Sequence, residues 1–155
     1  MNIEKKVLWI DDRINNASMW GHKERLKERG FSVTPAETIE EALDLMMNKD
    51  IEWSGIIVDI AIPPSREEGE IGADFGPSNT ENGRRAGLPL LKKIDESADF
   101  AHLRNVPIIV FTQVNNTKEE PLTKHCESKE IPLFRRTGDL KIEEAAQEYF
   151  KGRKR

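Results

Sequence analysis

Polar side chains follow three short apolar runs of the sequence. Asp11 and Asp12 end the first run, Asp59 ends the second, and Thr112 ends the third. For Asp59 taken alone, the alternative is a cap on the following turn, a common role for aspartate. Carboxylates and a hydroxyl gathered at one place, however, are groups that bind a hard cation and a phosphoryl group.

The charges of these side chains indicate which chemistry they would support. Three adjacent carboxylates repel one another, and their pKa values rise unless a cation is present. Mg²⁺ removes that repulsion, prefers oxygen ligands and often binds one or two carboxylates together with a phosphate. A carboxylate beside such a metal can attack an activated phosphoryl group and form an acyl phosphate. Thr112 offers a hydroxyl to a phosphoryl oxygen, and a cation on a further strand would neutralise the remaining charge.

The apolar runs that precede these residues read as strands buried on both faces, because they are short, rich in β-branched residues and bounded by glycine or proline. Segments with helical spacing alternate with them. Strands are predicted at about 6–10, 31–34, 55–59, 106–112 and 133–136, and helices at about 17–29, 38–47, 87–94, 118–128 and 142–151. This alternation predicts an α/β fold with a parallel sheet covered by helices on both faces. The carboxyl ends of such strands are where ligands bind.

Composition restricts the class of protein. The length of 155 residues predicts one domain. The formal net charge of -4 argues against a nucleic-acid binder, which would more often be basic. No apolar run approaches the length of a membrane helix, and the N-terminus lacks a signal peptide. One cysteine, Cys126, fits a reducing cytoplasm, where we expect the protein to be. His22, His102 and His125 are interpreted as ordinary surface or helix residues rather than zinc ligands.

One segment does not fit the regular alternation. Residues 63–83 are rich in proline, glycine and acidic residues, and the segment is too long and polar for an ordinary connection. We interpret it as an extended loop within a single domain that spans 1–155, and expect the loop to order on contact with a partner.

The motifs and their order identify a family resemblance. The chain resembles the receiver domain of two-component response regulators over nearly its full length. The motifs that carry the resemblance are Asp11-Asp12, Asp59-Ile60-Ala61-Ile62-Pro63, Gly87-Leu88-Pro89-Leu90-Leu91 and Pro107-Ile108-Ile109-Val110-Phe111-Thr112.

The resemblance implies a flavodoxin-like, doubly wound (βα)5 fold with strand order 2-1-3-4-5. It implies that Asp59 accepts a phosphoryl group from a histidine kinase or phosphotransfer protein. Asp12, Asp59 and the backbone carbonyl of Ala61 would ligate Mg²⁺, and Asp11 would act mainly through a metal-bound water. Thr112 would bond a phosphoryl oxygen, and its shift on phosphorylation would be read by a downstream protein. Such a domain is a signalling switch rather than an ordinary enzyme, and we expect it to act as a stand-alone switch through protein contacts.

The chain departs from the family at two positions near the site. The family has a lysine at the end of the fifth strand, for which the preferred register here supplies Arg136. Arg135 and Thr137 are the alternatives, and with Thr137 the cation is lost. Arginine keeps the charge but has a wider, planar head. Gln113 replaces the small residue that usually follows the threonine.

Two other functions are weighed against the phospho-switch. The departures favour a pseudo-receiver, an interaction module that is never phosphorylated, but such a module has no need of three mutually repelling carboxylates. A magnesium-dependent phosphohydrolase of the haloacid-dehalogenase type would place a second aspartate two residues after the nucleophile. The corresponding positions here are Ala61 and Arg13, so neither strand end fits.

Overall fold

The computed structural model describes residues 5–59, 87–112, 120–135 and 141–150. Five strands in these ranges form one parallel sheet with the order β2-β1-β3-β4-β5. The strands are β1 (Lys5–Ile10), β2 (Phe31–Ala36), β3 (Gly55–Val58), β4 (Ile108–Thr112) and β5 (Leu133–Arg135). The predicted strand order and fold class are therefore confirmed. None of the helices described is long and apolar enough to span a membrane.

Five α-helices in the described ranges follow the strands in turn. They are α1 (Ala17–Glu28), α2 (Ile39–Met47), α3 (Gly87–Glu96), α4 (Glu120–Ser128) and α5 (Ile142–Tyr149). α1 ends where Gly30 takes a positive φ of 89°, a conformation that glycine adopts without strain. Pro121 lies in the first turn of α4, where a proline is tolerated.

Several predicted details differ in the structure. β2 continues through Pro35 to Ala36, which is possible because β2 is an edge strand in which a missing N–H is tolerated. Residues Ala98–Leu103 form a short 3₁₀ segment that the sequence did not predict. At the start of α2 the Thr38 hydroxyl accepts from the Glu41 N–H, whereas the Glu41 carboxylate accepts from the Glu37 N–H rather than from the Thr38 N–H that a capping box would use.

The two faces of the sheet carry separate apolar cores. One core lies under α2 and α3 and includes Trp53 and Cys126. The other lies under α1 and α5 and includes Trp9, Phe111 and Phe150. Trp9 is fully buried. Of the two adjacent methionines of α2, Met46 is buried in the first of these cores, whereas Met47 turns outward and is 41% exposed.

Candidate functional site

Three carboxylates converge at the carboxyl end of the sheet. One oxygen from each of Asp11, Asp12 and Asp59 lies within 4.8 Å of the others. Asp11 is fully buried and Asp59 is 4% exposed, whereas Asp12 is exposed. The cluster is thus anchored on its inner side and open to solvent at Asp12.

Backbone hydrogen bonds position two of these residues by extending the sheet. The Asp59 N–H donates to the Ile10 carbonyl at 2.9 Å, and the Asp11 N–H donates to the Ala36 carbonyl at 3.0 Å. Each bond continues a parallel ladder by one residue beyond the strand ends. Because the strand ends are rigid, the two carboxylates are held near each other without any movement of a loop.

The turn between β1 and α1 fixes the Asp11 carboxylate. Its Oδ1 accepts from the Arg13 N–H at 2.9 Å, and the Asp11 carbonyl accepts from the Ile14 N–H at 3.1 Å. The Ile14 side chain is fully buried and anchors this turn in the core under α1. The backbone therefore reverses direction directly after the acidic pair, and the Asp12 side chain faces solvent.

The donor set fits a hard divalent cation. All three side chains offer oxygen, which Mg²⁺ prefers, and two of them are buried, where like charges close together are unfavourable. Two oxygens bound directly to one Mg²⁺ lie no more than about 4.2 Å apart, twice the usual metal–oxygen distance. The observed spread of up to 4.8 Å is therefore compatible with one carboxylate acting through a bound water.

Comparison with solved structures identifies the architecture. A signal receiver domain of two-component signal transduction from Clostridium thermocellum has a TM-score of 0.62 at 17% identity, over 96% of this chain and 99% of that one. The chemotaxis response regulator CheY4 of Vibrio cholerae has a TM-score of 0.59 at 17% identity, over 94% and 98%. The chain has the receiver-domain fold.

A third structure with the receiver fold is a response regulator from Burkholderia pseudomallei, crystallised with a phosphorylated aspartic acid, a calcium ion and citrate. It has a TM-score of 0.55 at 19% identity, over 96% of this chain and 67% of that one. No protein-family model and no curated protein matches the sequence. The resemblance drawn from the motifs is thus supported by the similarity of folds.

The remaining predicted site residues are described only in part. Thr112 is the last residue of β4, opposite Arg135 of β5. β4 pairs with β3, with Val110 opposite Val58, so Thr112 and Asp59 end adjacent strands at the same edge of the receiver sheet. Arg136 and Ala61 lie outside the described residues, as do Gln113, Thr137 and the 63–83 loop.

An aromatic layer lies beneath the carboxyl ends of the strands. Trp9 and Phe111 pack edge to face with ring centroids 5.8 Å apart, and the His22 ring lies 6.3 Å from Trp9 and 5.7 Å from Phe111. Sequence reasoning treated His22 as an ordinary helix residue. The sequence did contain a sign that the His22 side chain faces the sheet. His22 lies three residues after Met19 and four before Leu26, so it shares a helix face with the two buried residues of α1.

Proposed function

We propose that the chain is a response-regulator receiver domain that accepts a phosphoryl group on Asp59 from a histidine kinase or phosphotransfer protein. Asp12 and Asp59 would hold the Mg²⁺ that the reaction needs, and Asp11 would act on the metal mainly through a water. The phosphorylated form signals by binding a downstream protein. The convergence of Asp11, Asp12 and Asp59 at the end of a receiver sheet is the observation that carries the proposal.

In the proposed transfer one O–P bond forms and one P–N bond breaks. An Asp59 carboxylate oxygen attacks phosphorus as the P–N bond of a phosphohistidine breaks, and the departing imidazole nitrogen takes a proton from water. The product is an aspartyl phosphate. Bound Mg²⁺ supplies charge neutralisation for the phosphoryl oxygens. Asp59 suits the role of nucleophile because its strand-end position holds it in place while the open side at Asp12 admits a donor.

Three further residues complete the proposed site. The Thr112 hydroxyl would donate to a phosphoryl oxygen, since Thr112 ends the strand beside β3. The Ala61 backbone carbonyl would add a metal ligand, and Arg136 would take the place of the family lysine. Arg135 and Thr137 remain the alternatives to Arg136.

Intact-protein mass after incubation with Mg²⁺ and acetyl phosphate tests the proposal. The wild type is expected to gain one phosphoryl group, Asp59→Asn to gain none, and the α2 surface variant Asp44→Asn to behave as the wild type. Omitting Mg²⁺ should abolish the gain. Labelling of Asp59→Asn to the wild-type extent would contradict the assignment of the acceptor.

The alternative is the phosphorylation-independent pseudo-receiver. It would be supported if the wild type gained no mass with acetyl phosphate or with a panel of phosphorylated histidine phosphotransfer domains. Calorimetric titration with Mg²⁺ separates the two cases further, because a receiver site binds the metal, whereas a module that has abandoned this chemistry has no reason to.

A further inference from the structure

A buried carboxylate on α5 is reached by a cation from α1. The Glu143 side chain is 5% exposed, and the Arg25 Nε lies 3.4 Å from each of its carboxylate oxygens. Glu143 lies in the first turn of α5, where the helix dipole favours a negative charge. Buried carboxylates are unfavourable unless paired, so this contact ties α1 to α5.

The same guanidinium continues to a second side chain on α1. The Arg25 Nη2 lies 3.0 Å from the His22 Nδ1. A guanidinium has only donors, so Nδ1 must be the acceptor. Arg25 also folds over Gly21, where an added Cβ would lie 3.2 Å from its Nη1. Glycine inside a helix is destabilising relative to alanine, and at this position it leaves room for the guanidinium.

The imidazole of His22 contacts β1 and β4, the strands that lead to Asp11 and Thr112. Its ring packs edge to face on Phe111 at 5.7 Å and lies 6.3 Å from Trp9. Phe111 directly precedes Thr112, and Trp9 precedes Asp11 by two residues. The chain of contacts from Glu143 through Arg25 to His22 therefore ends on the residues that position two groups of the proposed site.

We propose that His22 and Arg25 are positioning residues for the receiver chemistry. Glu143, Arg25 and His22 form a chain of contacts, here called the relay, that holds the aromatic layer in place against the ends of β1 and β4. The relay thereby sets the positions of Asp11 and Thr112. The relay would also make the site sensitive to movement of α5. This inference rests on the proposed function for its effect on phosphoryl transfer, but not for its effect on metal binding.

A second contact between the same two helices provides a matched control. One turn further along both helices, Arg29 donates to the Gln147 side-chain carbonyl at the surface. Both contacts join an arginine, Arg25 in α1 or Arg29 directly after it, to an acceptor of α5, but no aromatic contact links Arg29 to Trp9 or Phe111 among the described residues. A general role in helix packing would therefore appear at both arginines, and a positioning role at Arg25 alone.

The experiment compares His22→Phe, Arg25→Met and their double variant with the control Arg29→Met. His22→Phe keeps a ring on Phe111 but removes the acceptor for Arg25. The Mg²⁺ dissociation constant is measured by calorimetry, and the acetyl phosphate labelling rate by mass. His22→Phe and Arg25→Met are expected to weaken Mg²⁺ binding and slow labelling by about fivefold, at the low end of typical couplings between sites. Arg29→Met should change neither.

Two features of the design separate positioning from loss of stability. His22→Phe and Arg25→Met break the same link, so the double variant should be no worse than either single variant, whereas independent defects would add. Because Arg25→Met leaves Glu143 buried without its partner, Arg25→Met/Glu143→Leu is included to remove both charges. Each variant is measured at a temperature where circular dichroism shows it to be folded.

The outcomes distinguish the two proposals. If His22→Phe and Arg25→Met/Glu143→Leu bind Mg²⁺ as the wild type does, or if Arg29→Met is impaired as strongly, the relay is refuted. If the wild type binds Mg²⁺ but takes no phosphoryl group from any donor, the proposed function fails, and the Mg²⁺ dissociation constants of the same variants still decide whether the relay positions the site.

Discussion

Among single residues, the three clustered aspartates are the groups whose charges a bound cation would offset. Two of them are buried, and an oxygen of each lies within 4.8 Å of the others. Without a cation their mutual repulsion opposes folding, and a bound divalent cation converts that repulsion into attraction. Removing one carboxylate should therefore have opposite effects on the metal-free and the metal-bound protein.

Asp12→Asn is predicted to raise the free energy of unfolding in EDTA by roughly 1 kcal/mol, the size of a Coulomb interaction between two charges about 4 Å apart in water, because Asp12 is exposed to solvent. At a Mg²⁺ concentration of 100 times the dissociation constant, the free energy of unfolding of the wild type should rise by about 2.7 kcal/mol. That of the variant should rise much less. Urea unfolding with and without Mg²⁺ measures both. Asp44→Asn on α2 is the control, and a metal-free Asp12→Asn less stable than wild type would contradict the prediction.

Cys126 is predicted to be unreactive in the folded protein. It is 3% exposed, and burial raises the pKa of its thiol from 9.0 to about 11. That shift lowers the thiolate fraction about a hundredfold at neutral pH. Iodoacetamide should therefore alkylate the native protein at least about a hundredfold more slowly than the urea-unfolded protein. Mass spectrometry follows the adduct, and equal rates in both states would show that the thiol is accessible to the reagent in the folded protein.

At the level of elements, α5 packs on β3 through one close approach. The Phe150 ring at the end of α5 lies directly over Gly55, where any Cβ would overlap the ring. Gly55→Ala is predicted to destabilise the protein by about 1–3 kcal/mol, as overpacking does. Urea unfolding measures this, and Gly55→Ala/Phe150→Leu should recover part of the loss. A fully stable Gly55→Ala would mean that α5 packs differently.

A histidine–aspartate contact joins α3 to α4. His125 Nε2 lies 3.3 Å from Asp95 Oδ2, and Lys129 Nζ lies 3.8 Å from the same oxygen. Burial lowers the pKa of His125 below its ordinary 6.5, and the attraction of Asp95 only partly opposes this. The folded state therefore resists a proton that the unfolded state accepts.

This shift predicts that His125 contributes stability above pH 6.5 that is lost as the pH falls through its lowered folded-state pKa. Between about pH 7.5 and about pH 5.5, wild type should lose more unfolding free energy than His125→Gln does. Urea unfolding at both pH values gives the difference. A larger loss in His125→Gln would mean that Asp95 dominates and raises the pKa.

For the whole molecule, the two apolar cores share one sheet and should unfold together. Trp53 lies in the core under α2 and α3, Trp9 in the core under α1 and α5, and Trp20 is 64% exposed. In Trp9→Phe/Trp20→Phe and in Trp20→Phe/Trp53→Phe, the fluorescence transition in urea should coincide with that of far-UV circular dichroism. Separate transitions in either variant would show that one face unfolds independently.

The architecture followed from local patterns in the sequence. Buried strand runs such as that before Asp59, and the segments of helical spacing between them, predicted the alternation, and alternation with right-handed crossovers leaves few topologies. Asp11, Asp12 and Asp59 were predicted to meet because strand ends of a parallel sheet share one edge. Strand and helix type, and the acidic cluster, could therefore be read from the chain alone.

Contacts between residues distant in sequence were decided only by the tertiary structure. That Gly55 faces Phe150, and that Arg25 reaches a buried Glu143, depends on how α5 returns to the sheet beside α1, which no local periodicity specifies. The placement of the His22 ring is likewise decided by the tertiary structure, because the ring contacts Trp9 and Phe111, which are about a hundred residues apart in the sequence. Local propensity determined the elements and their order, whereas side-chain packing between elements determined which polar residues became buried and paired.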